Sequence, residues 1–433
     1  MSKQLVVEPV DGRALRGRLR APGDKSISHR ALLIAARANG RSRIRGLSHG
    51  DDVRHTLGAI VALGAAAEEA PGELFVEGGT GQLREPEAVI DVGNSGTGIR
   101  LLAGFVANLQ GLFVLEGDSS IAKRPMDRIA VPLRRMGASV DGREGGRLPP
   151  LVVRGGGLKG IDYVLPVPSA QVKSSVLFAG LGAEGATVVT EPVPTRAHTE
   201  EMLAAAGADI EVARAGDGFK VTLRPGPLRS GDIDVPADPS QAAFWVVAAC
   251  ITPGSDLVLD DVYVGRGRAA FLDVLLRMGA LIELEHEDPA RHTADIHVRY
   301  GPLSGTAVGG GEVPSLIDEI PVLSVAAAFA EGATVFSDAG ELRVKETDRV
   351  ATTVEMLQAL GGRAEPAVDG LSVVGGGGAP LSSGTVSSYG DHRIAMAGAV
   401  AALGAAGPVT VTGWDATTTS YPGFEEDLLQ CLR

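Results

Sequence analysis

The chain repeats itself. Six times along its 433 residues an Ala-rich apolar stretch ends in a glycine followed by a short β-branched run. These glycines are Gly40, Gly111, Gly185, Gly254, Gly332 and Gly407, spaced 71, 74, 69, 78 and 75 residues apart. A sixth of the chain is about 72 residues, so the period fills it. A second series interleaves with the first at Leu63-Gly64-Ala65, Met136-Gly137-Ala138, Ala206-Gly207-Ala208, Met278-Gly279-Ala280 and Leu360-Gly361-Gly362. A helix-like stretch from Phe424 to Leu432 closes the chain where the last copy should end. Each repeat of this length is one supersecondary unit that buries its apolar face against its neighbours, which constrains architecture more than local propensity does. The chain therefore reads as six copies of one helix–strand–helix–strand unit.

The first helix of each copy opens on polar residues. They are Asp24-Lys25-Ser26, Asn94-Ser95-Gly96-Thr97, Ser169-Ala170-Gln171, Asp238-Pro239-Ser240, Asp318-Glu319 and Asp391-His392-Arg393. Asn, Ser and Asp cap helices because their side-chain oxygens accept from the unpaired N–H groups of the first turn. Capping suffices for Asp238-Pro239, where proline takes the first helical position. It does not account for Lys25, Arg30, Arg100, Lys173 and Arg393, which crowd the end where the helix dipole disfavours cations. Five cations at four equivalent helix starts point to anions held jointly by helix N-termini and basic side chains.

Composition bounds the ligand. At 44% hydrophobic the chain can build large cores, and three copies per half gives two domains of roughly 200 residues. The net charge of −13 opposes nucleic acid and anionic membrane, so the cationic clusters are local and suit a small anion. Two cysteines, Cys250 and Cys431, argue against a disulfide framework and fit a reducing cytosol. No signal-like apolar region opens the chain, and its longest apolar run, Ala242 to Ile251, is about half a membrane span. The expectation is a cytoplasmic protein.

Other familiar sites are excluded. No glycine cluster has the strand–GxGxxG–helix context of a dinucleotide site. Gly23-Asp24-Lys25-Ser26 differs from a phosphate-binding P-loop because Asp24 separates glycine from lysine and the upstream glycine is missing. The eight histidines lack zinc spacing, so no metal is expected, and His286, His292 and His297 read as solvated. His392 reads as part of a site because Asp391 and Arg393 flank it at a helix start. Two further clusters lie outside the helix starts. Lys123-Arg124-Pro125-Met126-Asp127-Arg128 could simply open a helix. Arg343 to Arg349, with five charges in seven residues, could be a solvated helical face pairing Lys345 with Arg349.

Taken in order, these motifs carry a resemblance. They are Lys25-Ser26-Ile27-Ser28-His29-Arg30, Gly93-Asn94-Ser95-Gly96-Thr97, Arg124-Pro125-Met126 and Ser169-Ala170-Gln171-Val172-Lys173-Ser174. Ile317-Asp318-Glu319, Lys345-Glu346-Thr347-Asp348-Arg349 and Asp391-His392-Arg393 complete the set. The whole chain resembles the 5-enolpyruvylshikimate-3-phosphate synthase family. The resemblance implies an α/β fold, a two-domain inside-out α/β barrel built from six βαβαββ repeats. It implies one domain of residues 21–235 and another of 1–20 plus 236–433, with the active site between them, and no cofactor. The implied reaction joins shikimate 3-phosphate and phosphoenolpyruvate and releases phosphate, on the route to chorismate and the aromatic amino acids. No macromolecular partner is implied, and a monomer is expected. Glyphosate is expected to occupy the phosphoenolpyruvate site.

The resemblance also assigns roles. Two phosphates and two carboxylates arrive with the substrates, and planar guanidinium groups suit both anions. Ser26 and Arg30 are expected at the shikimate carboxylate; Ser169, the Ala170 N–H and Arg196 at its phosphate; Gln171 and Lys345 at the ring hydroxyls. Phosphoenolpyruvate should meet Lys25, the Gly96 N–H and Arg124 at its phosphate, with Gln171 nearby, and Arg349 and Arg393 at its carboxylate. Asp318 and Glu346, assisted by Lys25, are the groups placed to move protons. Ala170 stands where many relatives carry serine, and Arg196 compensates; Thr419 replaces a lysine of another branch. The sister transferase acting on UDP-N-acetylglucosamine carries a cysteine, or in some members an aspartate, before Arg-Pro. Here that turn reads Gly117-Asp118-Ser119-Ser120, so Asp118 keeps that alternative open. An RNA 3′-phosphate cyclase, which shares the repeat unit, is disfavoured by the acidic surface.

Overall fold

The second copy shows the unit in full. In the computed structural model, which describes residues 3–10 and 12–432, strand Ile90–Asp91 leads into helix Gly96–Ala107, strand Gly111–Glu116 and helix Asp127–Arg135. Strands Ser139–Gly142 and Leu148–Gly155 follow. The leading strand runs parallel to Gly111–Glu116, and the last two add antiparallel, the final strand innermost. All five four-stranded sheets repeat this order.

The chain divides into two compact units, Gly23–Val235, and Met1–Pro22 with Pro236–Arg433, each holding three sheets. Strand pairing explains why the chain's beginning joins its second half. Gln4–Val7 pairs antiparallel with Val409–Thr412 and so completes the sixth sheet. Arg16–Leu19 is the parallel leading strand beside Asp256–Tyr263. The Gly23–Val235 unit closes on itself through Asp232–Asp234, which leads the sheet of Gly40–Arg45.

Two kinds of helix alternate. The first helix of each copy is largely buried, and in the second half wholly so: every residue of Pro239–Ile251, Ile320–Phe329 and His392–Leu403 is buried. A helix apolar on every face belongs inside a core. Small residues let such helices touch. A Cβ added to Gly104 would meet the Ser175 carbonyl oxygen at 2.0 Å, so helices Gly96–Ala107 and Ala170–Gly180 meet backbone to backbone. Second helices such as Ala270–Arg277 are amphipathic, this one burying Phe271, Leu272, Val274 and Leu275.

The second glycine series ends these outer helices. At Gly64 (φ 110°) the Gly64 N–H donates to Val61 and the Ala65 N–H to Ile60, the pair of bonds that closes a helix through a left-handed residue. The same two bonds recur at Gly137, Gly207, Gly279 and Gly361. The C-terminal helix Phe424–Cys431 instead docks by aromatics, Phe424 stacking on Trp245 at 4.9 Å. Among the described residues no helix is long and apolar enough to cross a membrane.

Candidate active site

Five of the six inner helices are capped as the sequence implies. Asp24, Ser95, Ser169, Asp238 and Asp391 each accept a bond from a first-turn N–H. The sixth differs. Glu319 is the residue before helix Ile320–Phe329 and makes no side-chain cap bond, which leaves Asp318 to other partners.

In the Gly23–Val235 unit several of the expected residues make contacts at the helix starts. Lys25 Nζ lies 2.9 Å from Asp52, which is itself 4% exposed. One turn below, buried His29 links Thr56 (2.7 Å) to Ser95 (3.4 Å), joining the first and second inner helices. Burial, reinforced by Lys25 and Arg30, pushes the His29 pKa down to about 3, so the ring is neutral. Gly96 touches the loop arginine: a Cβ there would sit 2.5 Å from Arg124 Nη1 and 3.2 Å from Arg100 Nη1. Arg100 donates to Gln171 Oε1 at 2.8 Å, and Gln171 Nε2 donates to Thr97 at 2.9 Å, joining the second and third helix starts. Arg30 is 3% exposed and donates to the Ser26 carbonyl (2.8 Å), Thr199 (2.7 Å) and Ser174 (2.6 Å). Ser26, Ser169, Ala170, Gln171 and Arg196 are all partly accessible.

The other unit gathers charge around one arginine. The stretch Arg343 to Arg349 is not a solvated helical face. A 3₁₀ turn, Gly340–Val344, precedes helix Arg349–Ala359, and Arg349 at its first position is 1% exposed. Its guanidinium donates to Asp391 (2.8 Å), Glu346 (2.6 Å) and Asp318 (3.2 Å). Burial alone would lower the Arg349 pKa, but Asp391, Glu346 and Asp318 together raise it above the usual arginine range. Burial raises the Asp391 carboxyl, yet Arg349 outweighs it and holds the carboxyl below its ordinary value. Lys345 Nζ donates to the same Asp318 oxygen at 3.2 Å. Arg393 donates to the Asp318 carbonyl at 3.0 Å and stands 3.7 Å from Glu319. Glu319 accepts from Ser240, which with Asp238 holds Arg268. His392 is 2% exposed and Thr419 is 7% exposed.

Two expectations need correcting here, those for Lys173 and His297. Lys173 does not face an open anion site; it is wholly buried between the carboxylates of Glu191 and Glu200. Asp118 accepts from Ser120 N, Ser120 Oγ and Ile121 N, and so builds the turn before Arg124. His297 is not merely solvated: its ring lies 3.0 Å from Glu285 and 2.8 Å from Asp256, and the Asp256 bond leads in raising its pKa. With Glu283 and Glu285 it forms the one group of three or more among the described residues whose possible metal-ligand atoms all lie within 4.8 Å of one another. Sequence reading missed Asp52, Thr199 and the Ser240–Glu319 contact, and gave Ser174 no role. Asp52 follows Asp51 at a helix start and reads there as a dipole partner; the others carry no local signal.

The family model described as EPSP synthase (3-phosphoshikimate 1-carboxyvinyltransferase) matches residues 10–428. The chain belongs to the EPSP synthase family. The 3-phosphoshikimate 1-carboxyvinyltransferase of Syntrophotalea carbinolica is 48% identical over 431 residues, covering 98% of each chain. That of a Synechococcus strain is 49% identical over 417 residues, covering 95% of this chain and 93% of its own. The solved EPSP synthase of Acinetobacter baumannii superposes with a TM-score of 0.87 at 41% identity, covering 99% of this chain and 98% of its own. The enolpyruvyl transferase NikO of Streptomyces tendae shares the fold, with a TM-score of 0.78 at 20% identity over 100% of this chain and 98% of its own.

Proposed function

We propose that this chain transfers the enolpyruvyl group of phosphoenolpyruvate to the 5-hydroxyl of shikimate 3-phosphate and releases phosphate. The observation that carries this reading is the near-complete alignment, at 46–49% identity, with proteins named for that reaction. In the addition step the 5-hydroxyl oxygen bonds to C2 of phosphoenolpyruvate, C3 gains a proton and the hydroxyl loses one. Elimination then returns a C3 proton to the protein and breaks the C2–O bond to phosphate. Both steps need a proton donor or acceptor within hydrogen-bond reach of the reacting atom.

Within this reading Asp318 and Glu346 move the protons, assisted by Lys25. Both carboxylates bond Arg349, so a substrate carboxylate that draws the guanidinium to itself loosens both of them. Arg349 and Arg393 take the phosphoenolpyruvate carboxylate; Lys25, the Gly96 N–H and Arg124 take its phosphate, with Gln171 alongside. Ser26 and Arg30 take the shikimate carboxylate; Ser169, the Ala170 N–H and Arg196 its phosphate; Gln171 and Lys345 its hydroxyls. The same reading has the protein act as a monomer in the cytoplasm; two cysteines in 433 residues suit that reducing compartment.

Phosphate release is the test. The purified protein should release phosphate from phosphoenolpyruvate when shikimate 3-phosphate is added, and not when UDP-N-acetylglucosamine is. The opposite pattern overturns the reading in favour of the sister transferase.

A further inference from the structure

Lys173 is the fourth residue of helix Ala170–Gly180, at the end where the helix dipole opposes a cation, and it has no exposed surface. Its ammonium lies 2.7 Å from Glu200 Oε1 and 3.0 Å from Glu191 Oε2. Glu191 ends strand Thr187–Glu191, and Glu200 lies in the first turn of helix His198–Ala205. Between these two acids runs the loop that carries Arg196. The Glu191 oxygen that meets Lys173 also accepts from Thr195 Oγ1 (2.6 Å) and Thr195 N (3.2 Å). On the far side, Thr199 bonds Arg30 (2.7 Å) and Ser174 (2.6 Å), the residue next to Lys173. One ammonium therefore ties down the residues on both flanks of Arg196.

Stability alone does not call for this arrangement. Removing three charges from water is costly, and a well-packed apolar replacement of a buried ion pair is often neutral or stabilising. What the triad does supply is fixed geometry across two elements and a loop. We propose that Lys173 is a positioning residue: through Glu191–Thr195 and Glu200 it holds Arg196 ready for the phosphate of shikimate 3-phosphate. The proposal rests on the reading of Arg196 as the phosphate ligand. It makes Lys173 act on one substrate only, although it stands two residues from Gln171.

Steady-state kinetics with both substrates tests this in the full-length protein, with Lys173→Met, Arg196→Met and the double variant. A misplaced binding group of this kind costs about tenfold or more in affinity. Lys173→Met should raise KM for shikimate 3-phosphate about tenfold and leave KM for phosphoenolpyruvate unchanged. Adding it to Arg196→Met should change little further, because the two act through one contact. Should Lys173→Met fail to fold, Lys173→Met/Glu200→Gln keeps the parental charge of the triad, and Thr195→Val removes one tie without touching the ions. Either should still raise KM for shikimate 3-phosphate alone. An impaired Arg196→Met beside folded Lys173 and Thr195 variants with parental KM overturns the positioning role alone. So do effects that multiply in the double variant. Parental KM in Arg196→Met overturns the reading of Arg196 and this proposal with it.

Discussion

Replacing Arg349 with methionine should destabilise one unit of the protein and invert its response to acid. The side chain is 2% exposed and meets Asp391, which is fully buried, and Asp318 and Glu346, each 18% exposed. Methionine fills similar volume but leaves three carboxylates facing one another. Asp391 would retain the Arg393 N–H (2.9 Å) and Thr347 Oγ1 (3.2 Å) as donors. Removing one partner of a buried ion pair costs about 3–5 kcal/mol. For a unit of this size each kcal/mol moves the melting temperature by roughly 2–4 °C, so a fall of roughly 6–20 °C is expected. Both tryptophans, Trp245 and Trp414, belong to the unit containing Arg349, so tryptophan fluorescence follows that unit's melting selectively.

The acid response separates lost charge pairing from lost packing. In the parent, Asp391 lies below its ordinary value of 3.8 because Arg349 outweighs burial. Its contribution to stability is therefore fully present above that value and fades as pH falls through the depressed folded value. Without Arg349, burial and the Glu346 charge dominate and raise the Asp391 pKa. The folded variant then binds more protons than the unfolded chain, so its deficit should shrink as the pH is lowered from 7 towards 5. Fluorescence melts at several pH values measure this. A fall in melting temperature that does not change with pH, or no fall at all, refutes the electrostatic account.

Three smaller perturbations address the site directly. Lys25→Met should cut turnover about a hundredfold or more with an unchanged circular dichroism spectrum, since a cation aimed at developing charge carries that much; near-parental turnover refutes its role. Glu346→Gln should suppress exchange of the phosphoenolpyruvate methylene protons into deuterated water, because a carboxamide is no proton donor; normal exchange assigns carbon protonation to Asp318 or Lys25. Gly96→Ala places a methyl 2.5 Å from Arg124 Nη1, at the end of a flexible side chain that must swing away. It should raise the glyphosate inhibition constant more than KM for phosphoenolpyruvate, and equal weakening of both would refute control of that slot by Gly96.

Much of this fold is legible because glycine has a backbone role that other residues fill at a cost. Gly64, Gly137, Gly207, Gly279 and Gly361 all sit at positive φ just past a helix end, so their spacing in sequence is the spacing of helix ends in space. The caps are legible for a similar reason, since Asp24 and Ser95 satisfy N–H groups three residues away. Helix starts therefore locate Lys25, Gly96 and Gln171. What the helix position does not convey is direction. Lys25 and Lys173 both follow a cap, yet Lys25 keeps 18% of its side chain accessible beside Asp52, whereas Lys173 turns inward. The difference lies in Glu191 and Glu200, 18 and 27 residues downstream, which no local pattern connects to it. The Lys-Glu-Thr-Asp-Arg stretch misleads in the same way. Its charges look solvated because their partners, Asp318 and Asp391, lie 31 and 42 residues from Arg349. Charged residues declare their chemistry in sequence, but their burial is decided by long-range partners, and Arg349 is buried because three acids from three segments converge on it.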